Sequence, residues 1–152
     1  MSAQAKPITI LMADDDADDR QLTKEAFEES HLANDLRFVE NGVELMDYLK
    51  RCGKYSDPAS SPRPGLILLD LNMPKKDGRE ALKEIKADPR LRTIRIVILT
   101  TSKAEEDIYR TYDLNATSYI TKPVTFEALV AVVQALGKYW LEIVELPKEG
   151  GG

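Results

Sequence analysis

The chain has 152 residues and a formal net charge of −5, from 26 acidic and 21 basic side chains. That length suits one domain whose core needs neither a disulfide nor a structural metal, and the single cysteine, Cys52, cannot close a disulfide within the chain and fits a reducing compartment. The acidic balance argues against nucleic acid as a direct partner, because neutralising phosphates takes a basic patch.

Residues 1–7 hold no apolar segment, so no signal peptide is expected. No apolar run approaches the ~18 residues needed to span a bilayer, and the expectation is a soluble, cytoplasmic protein with no membrane partner. Ile8-Thr9-Ile10-Leu11-Met12-Ala13 is a short apolar run that stops at Asp14-Asp15-Asp16, the pattern of a buried strand. Asp16 can cap the helix that follows, which turns Leu22, Ala26 and Phe27 inward and Lys24, Glu25, Glu28 and Glu29 outward. His31, the sole histidine, reads as a surface residue at the helix end, which supports neither a Ser-His triad nor a phospho-histidine domain. Leu36-Arg37-Phe38-Val39-Glu40 is a more polar strand, and Asn41-Gly42 turns it into a helix carrying Leu45, Met46 and Leu49. Cys52, at the end of that helix, reads as a packing or surface residue. Residues 53–65 are rich in Pro and Ser and read as a surface loop rather than a domain linker.

Leu66-Ile67-Leu68-Leu69 is the next apolar run and stops at Asp70; Asn72-Met73-Pro74-Lys75-Lys76-Asp77-Gly78 then leads into a helix with Ala81, Leu82 and Ile85. Residues 94–99 form another apolar strand, which stops at Thr100-Thr101-Ser102. A polar helix carries Ile108, Tyr109 and Tyr112, the short strand Ser118-Tyr119-Ile120-Thr121 stops at Lys122-Pro123, and the last helix runs over about 126–143, before Pro147. The domain is expected to span 6–147, with 148–152 a flexible tail.

Strand and helix alternate five times, which predicts an α/β fold: a doubly wound parallel sheet with helices on both faces. The continuously apolar strands before Asp14, Asp70 and Thr100 belong in the centre, and the more polar strands before Asn41 and Lys122 at the edges. The order 2-1-3-4-5 of flavodoxin-like sheets agrees with that placement, although it comes from the fold class and the strands alone do not dictate it. Right-handed crossovers put all five strand C-termini on one rim. Ligands of open parallel sheets bind there, at the switch in strand order between strands one and three. Asp14, Asp15 and Asp70 would meet at that switch, and mutual repulsion favours a cation between them. An all-oxygen site suits Mg²⁺ or Ca²⁺. Ca²⁺ wants more protein oxygens than are in evidence, and residues 14–18 lack the glycine and closing glutamate of a twelve-residue calcium loop. Taken singly each feature is ordinary: acids before a helix usually cap it and offset its dipole, and Lys-Pro is usually a turn. The joint pattern of acid, acid, hydroxyl and lysine on strands one, three, four and five carries the weight.

With these residues the chain resembles the receiver-domain family of two-component response regulators. The resemblance rests on residues 10–16, 66–74, Asp77-Gly78, 98–102 and 116–123, and covers almost the whole chain. It implies that Asp70 is the phosphorylated residue. Asp15, Asp70 and the backbone carbonyl of Asn72 would hold Mg²⁺, and Asp14 would contribute through a bound water. Thr100 and Lys122 would contact the phosphoryl oxygens, Tyr119 would be the aromatic switch that follows Thr100, and the Lys122–Pro123 peptide would be cis. The resemblance further implies a phospho-acceptor signalling protein rather than an enzyme, one that would carry out only self-catalysed phosphoryl transfer and autodephosphorylation. Pro62-Arg63-Pro64 and the segment 139–147 look more narrowly like stand-alone receivers that partner cyanobacterial phytochromes, which implies a light-sensing histidine kinase of the phytochrome or bacteriophytochrome kind as partner.

The last helix is too apolar for one buried stripe. Phe126, Leu129, Val133 and Leu136 lie at core spacing, while Val130, Val132, Tyr139, Trp140 and Leu141 spill beyond it. Either these pack on the sheet edge, or Tyr112, Val130, Tyr139 and Trp140 mark a homodimer surface built from the fourth helix, fifth strand and fifth helix. The enzyme alternative is a haloacid-dehalogenase-like Mg²⁺-dependent phosphatase, which shares the Asp, Mg²⁺ and Lys chemistry. It needs a second Asp two residues after the nucleophile, where this chain has Asn72. No phosphate-binding glycine loop of the GxxxxGK[ST] or GxGxxG kind is present.

Overall fold

A computed structural model describes residues 9–30, 35–70, 78–100, 118–121 and 125–136, with Thr100 and residues 118–121 described by backbone alone. Five strands, β1 (Thr9–Ala13), β2 (Asp35–Val39), β3 (Leu66–Asp70), β4 (Arg95–Thr100) and β5 (Ser118–Thr121), form one sheet in the order β2-β1-β3-β4-β5, every pair parallel. This is the order expected of a flavodoxin-like receiver sheet. Its physical basis is visible in burial: all five residues of β3 are buried, whereas in β2 only Val39 is.

Among the described residues the α-helices are α1 (Ala17–Glu29), α2 (Gly42–Lys50), α3 (Gly78–Ala87) and α4 (Phe126–Leu136). Alternate strand residues face opposite sides of a sheet, so the core has two halves. Leu11, Ala13, Ile67, Leu69, Ile96 and Ile98 pack under α2 and α3 against Leu45, Leu82 and Ile85. On the other face Ile10, Met12, Leu66, Leu68, Val97 and Leu99 pack against Ala26 and Phe27 of α1 and Val133 and Leu136 of α4.

Local chemistry starts the helices where expected. Asp16 caps α1 by accepting from the Asp18 and Asp19 N–H groups at 2.8 and 3.2 Å. Asn41 caps α2 by accepting from the Glu44 N–H at 2.8 Å, and Glu44 reaches back to the Glu40 N–H at 2.7 Å.

Several expectations are corrected. Leu22 is not an inward residue but 41% exposed. It lies about a quarter turn round α1 from the buried stripe of Thr23, Ala26 and Phe27. Thr23 takes the inward place because its hydroxyl donates to the Asp19 carbonyl at 2.8 Å and so is satisfied when buried. β4 runs one residue later than expected, and Ile94 instead packs into the core from the preceding turn. On α2 Tyr48 is buried while Leu49 is half-buried. The Pro- and Ser-rich loop holds two short 3₁₀ turns, Gly53–Tyr55 and Pro58–Ser60, and a buried Ser61. Cys52 is exposed. The polar helix with Ile108, Tyr109 and Tyr112, the Lys122–Pro123 peptide, His31 and the residues 137–152, with Tyr139, Trp140 and Leu141 among them, lie outside the described residues. Among the described residues no helix is long and apolar enough to cross a membrane.

Candidate metal centre

The strand register brings the acids together. Met12 pairs with Leu68 and Ala13 with Leu69, so Asp14, the next residue along, comes level with Asp70 at the end of β3. Asp14 and Asp70 are buried and Asp15 is exposed, and one carboxylate oxygen from each lies within 4.8 Å of the other two. Gathering three acids, two of them buried, is costly unless opposite charge compensates them. The donors are oxygen only, which fits a hard divalent cation rather than zinc or copper.

The loop bearing Asp14 and Asp15 is pinned from both sides. The Asp14 N–H donates to the Val39 carbonyl at 3.1 Å, and its side chain accepts from the Asp16 N–H at 2.9 Å. Arg20, one turn into α1, donates from Nη1 to the Asp14 carbonyl at 2.8 Å, with Nη2 3.9 Å from Glu40 at the end of β2. The sequence reading missed Arg20. The available signal was a cation on the first turns of a helix that begins at an acidic run.

The other expected site residues divide. Asp70 pairs with Leu99 across β3 and β4, which puts the backbone of Thr100 one residue beyond Asp70 on the neighbouring strand. Thr100 pairs in turn with Thr121, and Tyr119 with Ile98. Asn72, Lys122 and Pro123 lie outside the described residues. Of the residues given to a dimer surface, only Val130 is described. It is half-buried against the α1–α4 half of the core, as is Val132.

An open parallel sheet that collects acids from its first and third strands at the switch in strand order belongs to the doubly wound proteins that do their chemistry on this rim. Within that class the chain is a member of the response regulator receiver domain family, whose profile matches residues 10–134. Response regulator Rcp1 of Synechocystis sp. is 43% identical over 141 residues, covering 93% of this chain and 94% of that protein. The crystal structure of the Mn²⁺-bound form of response regulator Rcp1 superposes with a TM-score of 0.78 at 42% identity, over 90% of this chain and 96% of that one. The structure of the phosphorylated cyanobacterial phytochrome response regulator RcpA gives a TM-score of 0.80 at 42% identity, over 91% and 96%. The chain is thus a receiver related to phytochrome response regulators, and the phosphatase alternative finds no support.

Proposed function

We propose that this receiver unit, spanning 6–147, accepts a phosphoryl group on Asp70 from the phospho-histidine of a sensor histidine kinase of the phytochrome type, in a Mg²⁺-dependent step. The observation that carries the reading is the meeting of Asp14, Asp15 and Asp70 within 4.8 Å. Asp15, Asp70 and the carbonyl of Asn72 would hold Mg²⁺, with Asp14 acting through a water. When bound, Mg²⁺ supplies positive charge for the phosphoryl oxygens.

A carboxylate oxygen of Asp70 forms the new O–P bond as the N–P bond of the phospho-histidine breaks, and the electron pair returns to the imidazole nitrogen. Phosphoryl transfer is mostly positioning and charge stabilisation, so Lys122 and Thr100 act by meeting phosphoryl oxygens. Loss of the group is the reverse logic: a water oxygen bonds phosphorus and the Asp70 carboxylate leaves. The added charge of roughly −1.5 to −2 draws Thr100 toward it. Tyr119 follows, which alters the surface made by the fourth predicted helix, β5 and α4. A homodimer through Tyr112, Val130, Tyr139 and Trp140, and a cytoplasmic location, belong to the same reading.

Incubation with acetyl phosphate or a cognate kinase, followed by intact-mass measurement, tests it. Mg²⁺-dependent, acid-labile phosphorylation is expected in the wild type and none in Asp70→Asn. Full labelling of that variant refutes the assignment.

A further inference from the structure

The opposite rim of the sheet, formed by the segments that lead into β3 and β4, holds a second concave site. A pocket of about 170 Å³ there has ten lining residues, of which Lys50, Arg51, Arg63 and Arg90 are cationic and none is acidic. Leu49 and Ile94 are among its apolar residues. Such a concentration of cations stands out in a chain whose net charge is −5.

Helix C-termini attract cations, and this accounts for Lys50 in the last turn of α2. It does not account for Arg63 and Arg90, which lie in loops. Arg63 is held in place, donating from Nη1 to the Arg90 carbonyl at 2.6 Å and from Nη2 to the Thr93 hydroxyl at 3.1 Å. Arg51 occupies a left-handed backbone position, φ 56°, where glycine is the usual residue. Its Nε donates to the Ser61 carbonyl at 3.3 Å, and among the described residues neither Nη group has a hydrogen-bond acceptor. Among the described residues neither Arg51 nor Arg63 forms an ion pair with a carboxylate, whereas Arg90 lies 3.6 Å from Asp88 and Lys50 3.8 Å from Glu84.

We propose that Lys50, Arg51, Arg63 and Arg90 form a binding site for a small phosphate-bearing anion, separate from Asp70. Guanidinium groups match phosphate geometry and are worth most when held in place before binding. The pocket, at about 170 Å³, is many times the ~10–15 Å³ that one water requires, room enough for a small anion.

The test is titration of the full chain with inorganic pyrophosphate and orthophosphate, at fixed ionic strength and in EDTA so that the acidic rim holds no divalent cation. It is followed by calorimetry and amide NMR shifts. Saturable binding is expected, with shifts confined to residues 48–52, 61, 63 and 90–94. Arg63→Gln should weaken it roughly tenfold or more. Because Arg63 also holds two loops together, the exposed pair Lys50→Gln and Arg90→Gln provides a second variant, expected to bind several-fold more weakly with its melting temperature unchanged. Wild-type affinity in both variants, or unsaturable shifts spread over surface lysines and arginines, overturns the proposal.

Discussion

Away from the acidic rim, Glu44 holds three partners at once. Its carboxylate accepts from the Tyr55 hydroxyl at 2.6 Å and the Glu40 N–H at 2.7 Å, with Lys54 Nζ at 3.0 Å. Burial pushes its pKa up, but the Tyr55, Glu40 and Lys54 contacts together outweigh that and leave it below the ordinary value of 4.5. Burial and the Glu44 carboxylate push the Tyr55 hydroxyl the other way, well above its ordinary value of 10.0. The stability these groups contribute therefore has two edges. The Glu44 part is present above pH 4.5 and fades as pH falls through the lowered folded value. The Tyr55 part is complete below pH 10.0 and fades as pH rises above it. Tyr55→Phe should cost roughly 1–3 kcal/mol in urea unfolding at pH 7, and should blunt the alkaline loss of stability. At the acidic rim, Asp15→Asn removes one of three close charges at an exposed position. In EDTA its melting temperature should rise above that of the wild type, and the further rise on adding Mg²⁺ should shrink. A variant that melts lower in EDTA would mean that repulsion among the three acids does not govern the rim.

At the scale of elements, α1 is the piece most directly coupled to the site, since the loop that starts it carries Asp14 and Asp15. Its cap is one side chain, Asp16, accepting from two N–H groups, so Asp16→Ala should cost about 0.5–2 kcal/mol, read from the denaturant midpoint. Among the described elements β3 is the most deeply set, every residue buried: Leu68 is 3% exposed and packs with Phe27 and Val133 in the half of the core under α1 and α4. Leu68→Ala should cost about 2–5 kcal/mol, the upper end if α1 and α4 do not collapse into the space. The elements were legible where periodicity and punctuation agreed, as in the run from Leu66 to Asp70 or Asp16 before α1. They were not where a polar residue satisfies itself locally. Thr23 displaced Leu22 from the core through a bond to a carbonyl one turn back, which a hydrophobic pattern does not register. Ser61 is likewise buried because its hydroxyl reaches the Tyr55 carbonyl at 2.9 Å.

For the whole molecule, the sheet separates two rims: acids at the strand ends after β1 and β3, and cations in the segments that enter β3 and β4. A cation held by the native acids and not by the unfolded chain stabilises by mass action. Saturating Mg²⁺ should therefore raise the melting temperature of the wild type, and the shift should be largely absent in Asp70→Asn. Assembly is a separate matter. Sedimentation with and without beryllofluoride, at high protein concentration, tests the proposed homodimer, and monomer under both conditions refutes it.

The fold class and the acidic cluster could be read from residue order because both follow from rules local to each strand. Continuous apolar runs must be buried on both faces, and in a parallel sheet every strand ends on the same rim, so the residue that stops each run becomes a candidate ligand. Asp14, Asp15 and Asp70 needed no more than that, once the strand order of the fold class was supplied. Arg20 on the Asp14 carbonyl, Thr23 in place of Leu22, and the cationic pocket of Lys50, Arg51, Arg63 and Arg90 were settled only by tertiary structure. They join segments distant in the chain or depend on where one side chain finds its hydrogen-bond partner, and neither leaves a periodic trace in sequence.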